Sequence, residues 1–401
     1  MLKDQLNEDQ LNIFNEVITW FNGGCNGDII IGGYAGTGKT FLLTAIYEEI
    51  KKHVGKEVIA FCAYTGKAAS VLNKYLIERD LLRDSDYVGT IHSLMYFPIT
   101  EEDEKGNKKI VGWKKHPQLR YSPTILFVDE ASMLSHELYR DLLSYGVPMI
   151  LSGDNFQLPP IDDSFDIMSM ANFKLTKIQR QAEDSEIIKL SMNIRRYGFI
   201  PMKKYSNDVY KGSWFDPKVQ NLFNNIDLSS ENMTVLCGFN RTRNDINMTY
   251  RRKTKKRDDI IYPKDKIICL VNNQNTNLKN GQQGIVEYVM PHSNHFFRLT
   301  LSLDIMPDYY ETLAFKHSFG QENHQSVFDN KDFKVQKSFQ NFDIFDFAYA
   351  MSVHKAQASE WDRIILIEQR SKHWDDIYYA RWLYTGVTRA KKKLFIIQDY
   401  F

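Results

Sequence analysis

Short runs of consecutive apolar residues, bounded by glycine, proline or charged positions, recur along the first half of the chain. Residues 28–32, 58–64, 124–129 and 148–153 are such runs. They are too short for helices and lack polar alternation, the pattern of strands buried on both faces. Between them the period changes. Residues 40–53 place Leu42, Leu43, Ile46 and Ile50 on one helical face, and 67–76 and 136–145 also read as helices. Strand and helix in alternation predict a parallel sheet covered by helices on both faces. A polar segment over 95–120 interrupts this rhythm. Its centre, Glu101-Glu102-Asp103-Glu104-Lys105-Gly106-Asn107-Lys108-Lys109, predicts a hairpin tip between Met95-Tyr96-Phe97 and Ile110-Val111-Gly112-Trp113.

A second α/β region is expected from about residue 179, with a strand over 234–238 and a helix over 242–252. From 262 to about 340 the pattern shifts to short β segments with turns, including Asn280-Gly281-Gln282-Gln283-Gly284-Ile285-Val286. That stretch predicts a small β-barrel inserted into the second region. The α/β pattern returns at 347, with strands over 363–368 and 393–398 and a helix over 375–384. No internal repeat or low-complexity linker stands out. The map is two α/β sheets, each carrying an insertion, in a chain of 401 residues that is too long for one core.

Composition changes this picture little: 43% hydrophobic and 25% charged residues suit a globular protein, and no apolar run is long enough to cross a membrane. Residues 1–10 are polar and acidic rather than a secretory leader. Cys25, Cys62, Cys237 and Cys269 lie far apart without a C-x-x-C pair, which leads us to expect reduced thiols in a cytoplasmic protein and no zinc site. A net charge of +1 excludes a global basic field. Arg251-Arg252-Lys253-Thr254-Lys255-Lys256-Arg257 nonetheless gathers cations, and reads either as a solvated helix end or as a polyanion contact.

The chemistry is carried by Gly33-Tyr34-Ala35-Gly36-Thr37-Gly38-Lys39-Thr40, which fits G-x-x-x-x-G-K-[ST] between a predicted strand and a predicted helix. Such a loop wraps nucleotide phosphates with backbone N–H groups, aided by the partial positive charge of a helix N-terminus. Lys39 is expected to reach the β- and γ-phosphates and Thr40 to bind Mg²⁺. Ile125-Leu126-Phe127-Val128-Asp129-Glu130 is an apolar strand ending in two carboxylates. Asp129 is placed for the Mg²⁺ shell, and Glu130 to orient or deprotonate the attacking water. In Gly153-Asp154-Asn155-Phe156-Gln157-Leu158-Pro159-Pro160, Gln157 suits a γ-phosphate or its water, although the segment also reads as a proline-terminated turn. Charge building up on the transferred phosphoryl group needs a cation, for which Arg180 and Arg389 are candidates.

In order along the chain, Leu6-Asn7-Glu8-Asp9-Gln10, the glycine loop, Ala63-Tyr64-Thr65-Gly66-Lys67-Ala68-Ala69, Thr90-Ile91-His92-Ser93, Val128-Asp129-Glu130-Ala131-Ser132-Met133, the 153–160 segment, Ser352-Val353-His354-Lys355-Ala356-Gln357-Ala358-Ser359-Glu360 and Tyr384-Thr385-Gly386-Val387-Thr388-Arg389-Ala390 resemble the motifs of superfamily 1 helicases. The match spans nearly the whole chain and is most similar to the RecD/Dda branch, which includes the small phage-type Dda helicases. The resemblance implies an α/β fold of two RecA-like P-loop motor domains. The first, 1–94 with 121–178, carries a pin hairpin at 95–120; the second, 179–261 with 341–401, carries an SH3-like β-barrel at 262–340.

It further implies an ATP-dependent DNA helicase or translocase, moving 5′ to 3′ on single-stranded DNA and unwinding duplexes in replication, recombination or repair. ATP and Mg²⁺ are the implied cofactors. Gln10 matches the residue that reads adenine; Gly36, Thr37, Gly38, Lys39 and Thr40 match the phosphate loop, and Glu360 a ribose or nucleotide contact. Arg180 and Arg389 match the arginines that meet the γ-phosphate. Thr65, Lys67, Thr90 and His92, with Asn240, Ser352, His354 and Lys355, match residues lying on the strand. Both histidines read equally as packed, hydrogen-bonded side chains. Phe97 sits where relatives split the duplex, although Phe97 and Trp113 also suit a small core of the hairpin itself.

The family usually has serine and glycine where this chain has Ala356 and Ala358; if that glycine needs a positive φ, alanine there costs about 1 kcal/mol, and a slightly altered loop rather than an inactive site is expected. The implied partners are single-stranded DNA and its junctions with duplex, a single-strand-binding protein or a replisome component, and no membrane. The expected state is a monomer in the cytoplasm, encoded by a phage or mobile element. An RNA-directed motor, or the motor subunit of a larger recombination or nuclease complex, stays open as an alternative.

Overall fold

The computed structural model describes residues 2–399 apart from 103–107, 161–164, 179–184, 231, 259, 274–277, 305–307, 324–326 and 328–340. The chain divides into two compact units, Met1–Glu101 with Ile110–Lys189, and Leu190–Phe401 with Glu102–Lys109.

The first unit begins with α1 (Glu8–Asn22), whose N-terminus is closed by a capping box between Asn7 and Gln10. There follow β1 (Ile29–Gly33), α2 (Lys39–Ile50), β2 (Ile59–Ala63), α3 (Gly66–Ile77), β3 (Tyr87–Thr90) and the short α4 (Ile91–Met95). The hairpin β4 (Tyr96–Glu102) and β5 (Lys108–Lys115) comes next, then β6 (Ile125–Asp129), α5 (His136–Leu143), β7 (Met149–Gly153) and β8 (Phe173–Leu175). Six strands form one parallel sheet in the order β3-β2-β6-β7-β1-β8.

The continuous apolar runs have a direct cause: successive side chains enter different cores on the two faces of this sheet. Ile31, Phe61 and Phe127 pack with α1 and α2, whereas Ile30, Cys62 and Val128 pack with α4 and α5. Helix α2 departs from the predicted one-sided stripe. Thr44, Ala45 and Tyr47 are buried along with Leu42, Leu43, Ile46 and Ile50. Phe14 and Val17 of α1, a helix absent from the predicted elements, join the same core.

Helix α6 (Glu186–Tyr197) runs across the division at Leu190, and the second unit continues with β9 (Lys203–Lys204), β10 (Val209–Ser213), α7 (Pro217–Asn225), β11 (Met233–Cys237) and α8 (Asn240–Lys253). It continues through β12 (Lys266–Cys269), β13 (Gln283–Pro291), β14 (Phe296–Leu303), β15 (Tyr310–Phe315) and β16 (Phe345–Phe347). It ends with β17 (Ala350–Ser352), β18 (Trp361–Glu368), α9 (Asp376–Val387) and β19 (Ala390–Gln398). One six-stranded sheet runs β17-β11-β18-β19-β10-β9, parallel except for β9. A five-stranded antiparallel sheet, β15-β14-β13-β12-β16, fills the stretch expected to be β-rich. It takes in Phe345–Phe347, beyond the expected end of the insertion at 340, because β16 pairs with β12 rather than with the parallel sheet. Val235 and Ile365 of the parallel sheet share one core with Ile267, Leu299 and Phe345 of the antiparallel one.

Most of the basic run is consumed by this unit. Arg251 is fully buried, paired with Asp265, and lies 3.8 Å from the Phe347 ring. Lys256 reaches the other oxygen of Asp265 at 2.7 Å, Arg252 pairs with Asp258 at 2.6 Å, and Lys253 donates to the Phe223 carbonyl at 2.7 Å. The run does end helix α8, but it is not the solvated end expected: Arg251 is buried and Lys256 half-buried on the buried Asp265, which needs their charge, and only Arg252 and Lys253 of these four cations stay exposed.

Candidate active site

The glycine loop leaves β1 at its C-terminal end, with β7 and β8 as the flanking strands. Gly36 and Gly38 both hold φ +79°, a conformation that side-chain-bearing residues resist. Thr37 is fully buried, its hydroxyl donating to the Tyr34 carbonyl at 2.8 Å. Lys39 Nζ donates to the carbonyls of Gly33 at 3.0 Å and Tyr34 at 3.2 Å, so its cation lies along the loop it belongs to. Gln10 is buried against the same loop: its Nε2 donates to the Thr37 carbonyl at 3.0 Å, and its Oε1 accepts the Asn7 N–H at 3.1 Å. The amide thus ties the start of α1 to the phosphate loop.

Two strands over, β6 ends in the paired acids. Thr40 Oγ1 donates to Asp129 Oδ2 at 3.0 Å, and Ser152 Oγ on β7 donates to Oδ1 at 2.6 Å. The Glu130 N–H adds a third bond to the same carboxylate at 3.0 Å. Glu130 itself holds φ +54°, a left-handed conformation that an ordinary side chain adopts at a cost of about 1 kcal/mol. Gln157, past the end of β7, is buried, and its Oε1 has no hydrogen-bond partner among the described residues. Ser152 was missed in the sequence. Its signal was a hydroxyl inside the apolar run Met149-Ile150-Leu151-Ser152-Gly153.

Of the residues matched to nucleic acid, Thr65 and Thr90 cap α3 and α4, accepting the N–H groups of Ala68 and Ser93 at 3.1 Å each. They follow β2 and β3, adjacent parallel strands with Ala63 opposite Thr90, so Thr65, Lys67, Thr90 and His92 gather at one edge of the sheet end. His92 is exposed, its ring 5.9 Å from both Tyr64 and Tyr96. The Phe97 ring lies 4.7 Å from that of His116; the Trp113 side chain, with which Phe97 was expected to form a small hairpin core, lies outside the described residues.

In the second unit, Asn240 starts α8 after β11, and Ser352 ends β17, with Cys237 opposite Ser352. Asn240, Ser352, His354 and Lys355 therefore share one sheet end. His354 Nε2 lies 2.8 Å from the Tyr378 hydroxyl, and burial lowers its pKa. Lys355 is pushed down to about 8, chiefly by burial and then by Arg243, with Asp346 acting in the opposite direction.

Arg389 is buried and held by its own unit: Nε donates to the Thr385 carbonyl at 3.1 Å and the second terminal nitrogen to Thr388 Oγ1 at 3.2 Å. Glu360 is exposed and pairs with Lys391 at 3.2 Å. Ala358 holds φ +60°, the left-handed conformation anticipated from the family's glycine. Arg180 lies outside the described residues.

A glycine loop closing a parallel sheet beside a strand-end carboxylate defines a P-loop nucleotide-binding protein. Residues 5–205, half of the chain, match the AAA domain family, and 347–397 match the UvrD-like helicase C-terminal domain. The chain is 23% identical to the ATP-dependent DNA helicase Pif1 of Campylobacter jejuni, covering 90% of this chain and 86% of that protein. It is 31% identical to the RecD2 DNA helicase of Deinococcus radiodurans over 40% of this chain and 20% of that one. It is 25% identical to the RecBCD subunit RecD of Buchnera aphidicola over 92% and 70%. In fold it is similar to the Bacteroides Pif1 helicase solved with ADP-AlF3 and single-stranded DNA (TM-score 0.55, 20% identity, 99% of this chain and 92% of that one). The Pif1 helicase of Candida albicans gives a TM-score of 0.55 at 16% identity, over 98% and 94%. The chain belongs to the superfamily 1 helicases of the RecD and Pif1 branch, with an AAA domain in its first half.

Proposed function

We propose that this chain is an ATP-dependent DNA helicase that moves 5′ to 3′ along single-stranded DNA and separates duplexes. One observation carries the enzymatic part: Thr40, at the end of the phosphate loop, touches Asp129, at the end of β6, at 3.0 Å. The relatives named as DNA helicases, one of them covering 90% of the chain, support the nucleic-acid part.

The donor set fits Mg²⁺, because a hydroxyl and a carboxylate are hard oxygen donors and Ser152 and the Glu130 N–H orient the carboxylate from behind. Thr40 and Asp129 would hold the ion, which would supply charge neutralisation for the phosphates. Lys39 exchanges its carbonyl partners for those oxygens. Glu130 orients the attacking water and takes its proton, and Gln157 offers its amide to the γ-phosphate or that water. Arg389 and Arg180 supply the cations that the transition state calls for. Gln10 exchanges its backbone bonds for the adenine edge, and Glu360 leaves Lys391 for the ribose.

On the nucleic acid, Thr65, Lys67, Thr90, His92, Asn240, Ser352, His354 and Lys355 follow the phosphodiester backbone, which carries no sequence information. The 95–120 hairpin serves as the pin, and the antiparallel sheet as an SH3-like insertion. Among the described residues no helix is long and apolar enough to cross a membrane. The resemblance to small phage-type helicases is what supports a cytoplasmic monomer of phage or mobile-element origin that works beside a single-strand-binding protein or a replisome.

The test is unwinding and ATP hydrolysis on matched duplexes with a 5′ or a 3′ tail, with Lys39→Ala alongside. Unwinding of the 5′-tailed duplex alone, lost in the variant, is the expected result. Unwinding from the 3′ tail overturns the polarity, and hydrolysis that DNA does not stimulate overturns the motor.

A further inference from the structure

Beside the nucleic-acid residues of the second unit lies a row of aromatic rings that those assignments leave unused. Phe239 occupies the N-cap of α8 and makes no side-chain hydrogen bond there. Serine, threonine, aspartate or asparagine stabilises that position and an apolar ring does not, so the helix gains nothing from phenylalanine. Phe239 is 38% exposed, and its ring stacks on Trp374, centroids 6.0 Å apart and planes 28° apart. Trp374 lies 5.2 Å from Tyr378, whose hydroxyl meets His354. The row therefore runs from beside Asn240 to His354, between the two parts of the candidate strand-binding set.

The row is rigidly mounted. Trp374 is backed by the buried Trp382, 5.6 Å away. The turn carrying Phe239 is clamped by Gln369: its Oε1 accepts the Gly238 N–H at 3.0 Å, and its Nε2 donates to Thr242 Oγ1 and Asp399 Oδ2 at 2.8 Å each. Cations flank it. Arg241, the second residue after Phe239, is 81% exposed and pairs with Asp245 at 4.0 Å, the outer limit of an ion pair. Lys372 and His373 are exposed beside Trp374.

We propose that Phe239 and Trp374 form a stacking face for the unpaired bases of single-stranded DNA. Every base offers a π-face, so such a contact tolerates any sequence, and its strength depends on the bases rather than on the phosphates. The hydroxyls and amides of Ser352 and Asn240 grip the backbone, and the ring row adds a second grip to the same strand. The Phe239 ring on its clamped turn, and the half-buried Trp374 backed by Trp382, lose little freedom when a base stacks on them. This inference rests on the DNA-motor reading, and the experiment keeps the two separable.

Affinity is measured by fluorescence anisotropy, at fixed salt, for an oligodeoxythymidine and for an abasic tetrahydrofuran oligomer of the same length and charge. Phe239→Ser is the primary variant, because serine supplies the helix cap that the ring withholds. It is expected to stay folded, the new cap offsetting part of the packing lost against Trp374, and to bind the base-bearing oligomer about tenfold more weakly, with its abasic affinity unchanged. Trp374→Ala shows the same selective loss, and Phe239→Tyr retains wild-type binding. An unchanged thymidine affinity in Phe239→Ser, or an equal fall for both oligomers, overturns the stacking face and leaves the motor reading standing. A wild-type protein that binds neither oligomer overturns both.

Discussion

Thr40 and Asp129 stand 89 positions apart in the chain, and the Thr40 hydroxyl donates to Asp129 Oδ2 at 3.0 Å. Parallel pairing in the sheet brings them together: β1 and β6 both flank β7, so the phosphate loop and the strand-end acid emerge at the same edge. The other carboxylate oxygen is held by Ser152 and by the Glu130 N–H, leaving Asp129 little freedom to rotate.

Ser152→Ala removes a hydrogen bond to an ionised group, which costs about 1.5 kcal/mol of stability. The larger effect is expected on the metal, since loosening a ligand's outer partner weakens binding about tenfold. An ATPase titration against MgCl₂ should show the half-maximal concentration rising by that factor. An unchanged titration removes Ser152 from the metal's support.

Gln157 buries a carbonyl oxygen that finds no partner among the described residues, so the side chain contributes polarity without a structural bond. Gln157→Met, similar in volume, should leave the melting temperature within a degree or two, because no satisfied hydrogen bond is broken. DNA-stimulated ATP hydrolysis should nevertheless fall at least about tenfold. Loss of stability together with full activity would contradict the assignment.

Ala358 sits at φ +60° with a β-carbon that resists that conformation. Ala358→Gly should raise the free energy of unfolding by about 1 kcal/mol. Urea denaturation reads this as a higher midpoint at unchanged slope. A midpoint that falls would mean that the methyl group contributes more by packing than it costs in strain.

Lys355 has its pKa pushed down to about 8 by burial and Arg243, with Asp346 opposing. A phosphate beside it favours the ammonium form, so single-stranded DNA affinity should fall as pH rises from 7 to 9 and the side chain loses its proton. Lys355→Arg stays charged and should flatten that profile. The sign for folding is opposite. Between about 8 and 10.5 the unfolded chain binds more protons than the folded one at this site, so this group's contribution to stability rises with pH across that window. A flat binding profile in the wild type would take Lys355 off the strand.

The strands were the most legible part of the fold, and the reason lies in their surroundings. In the first unit both faces of the sheet are covered, so residues 125–128 had to be apolar at every position before the strand reaches Asp129 at its end, and the run announced itself within a residue of where β6 begins. Helix α2 was legible in place but not in burial. Its stripe predicted one covered face, whereas α1 packs on it and buries the polar side as well. The basic run after Tyr250 was the opposite case. Its charge pattern is the same whether the cations face a phosphate backbone or a buried carboxylate, and Asp265 decides between these through a contact that a one-dimensional pattern does not contain.

By itself the sequence determined the chemistry of the site, because phosphate wrapping demands glycines at fixed spacing next to a lysine and a hydroxyl residue, and those constraints are local. The left-handed φ at Ala358 was suggested only by the glycine that the family usually has there, and the structure supplied it. Tertiary structure alone decided that Ser152 holds Asp129, that Gln10 is tied to the phosphate loop, and that Phe239, Trp374 and His354 line one surface. Those relationships join residues tens to more than a hundred positions apart, and they exist because neighbouring parallel strands end side by side, α1 packs against the loop after β1, and the turn before α9 meets the start of α8.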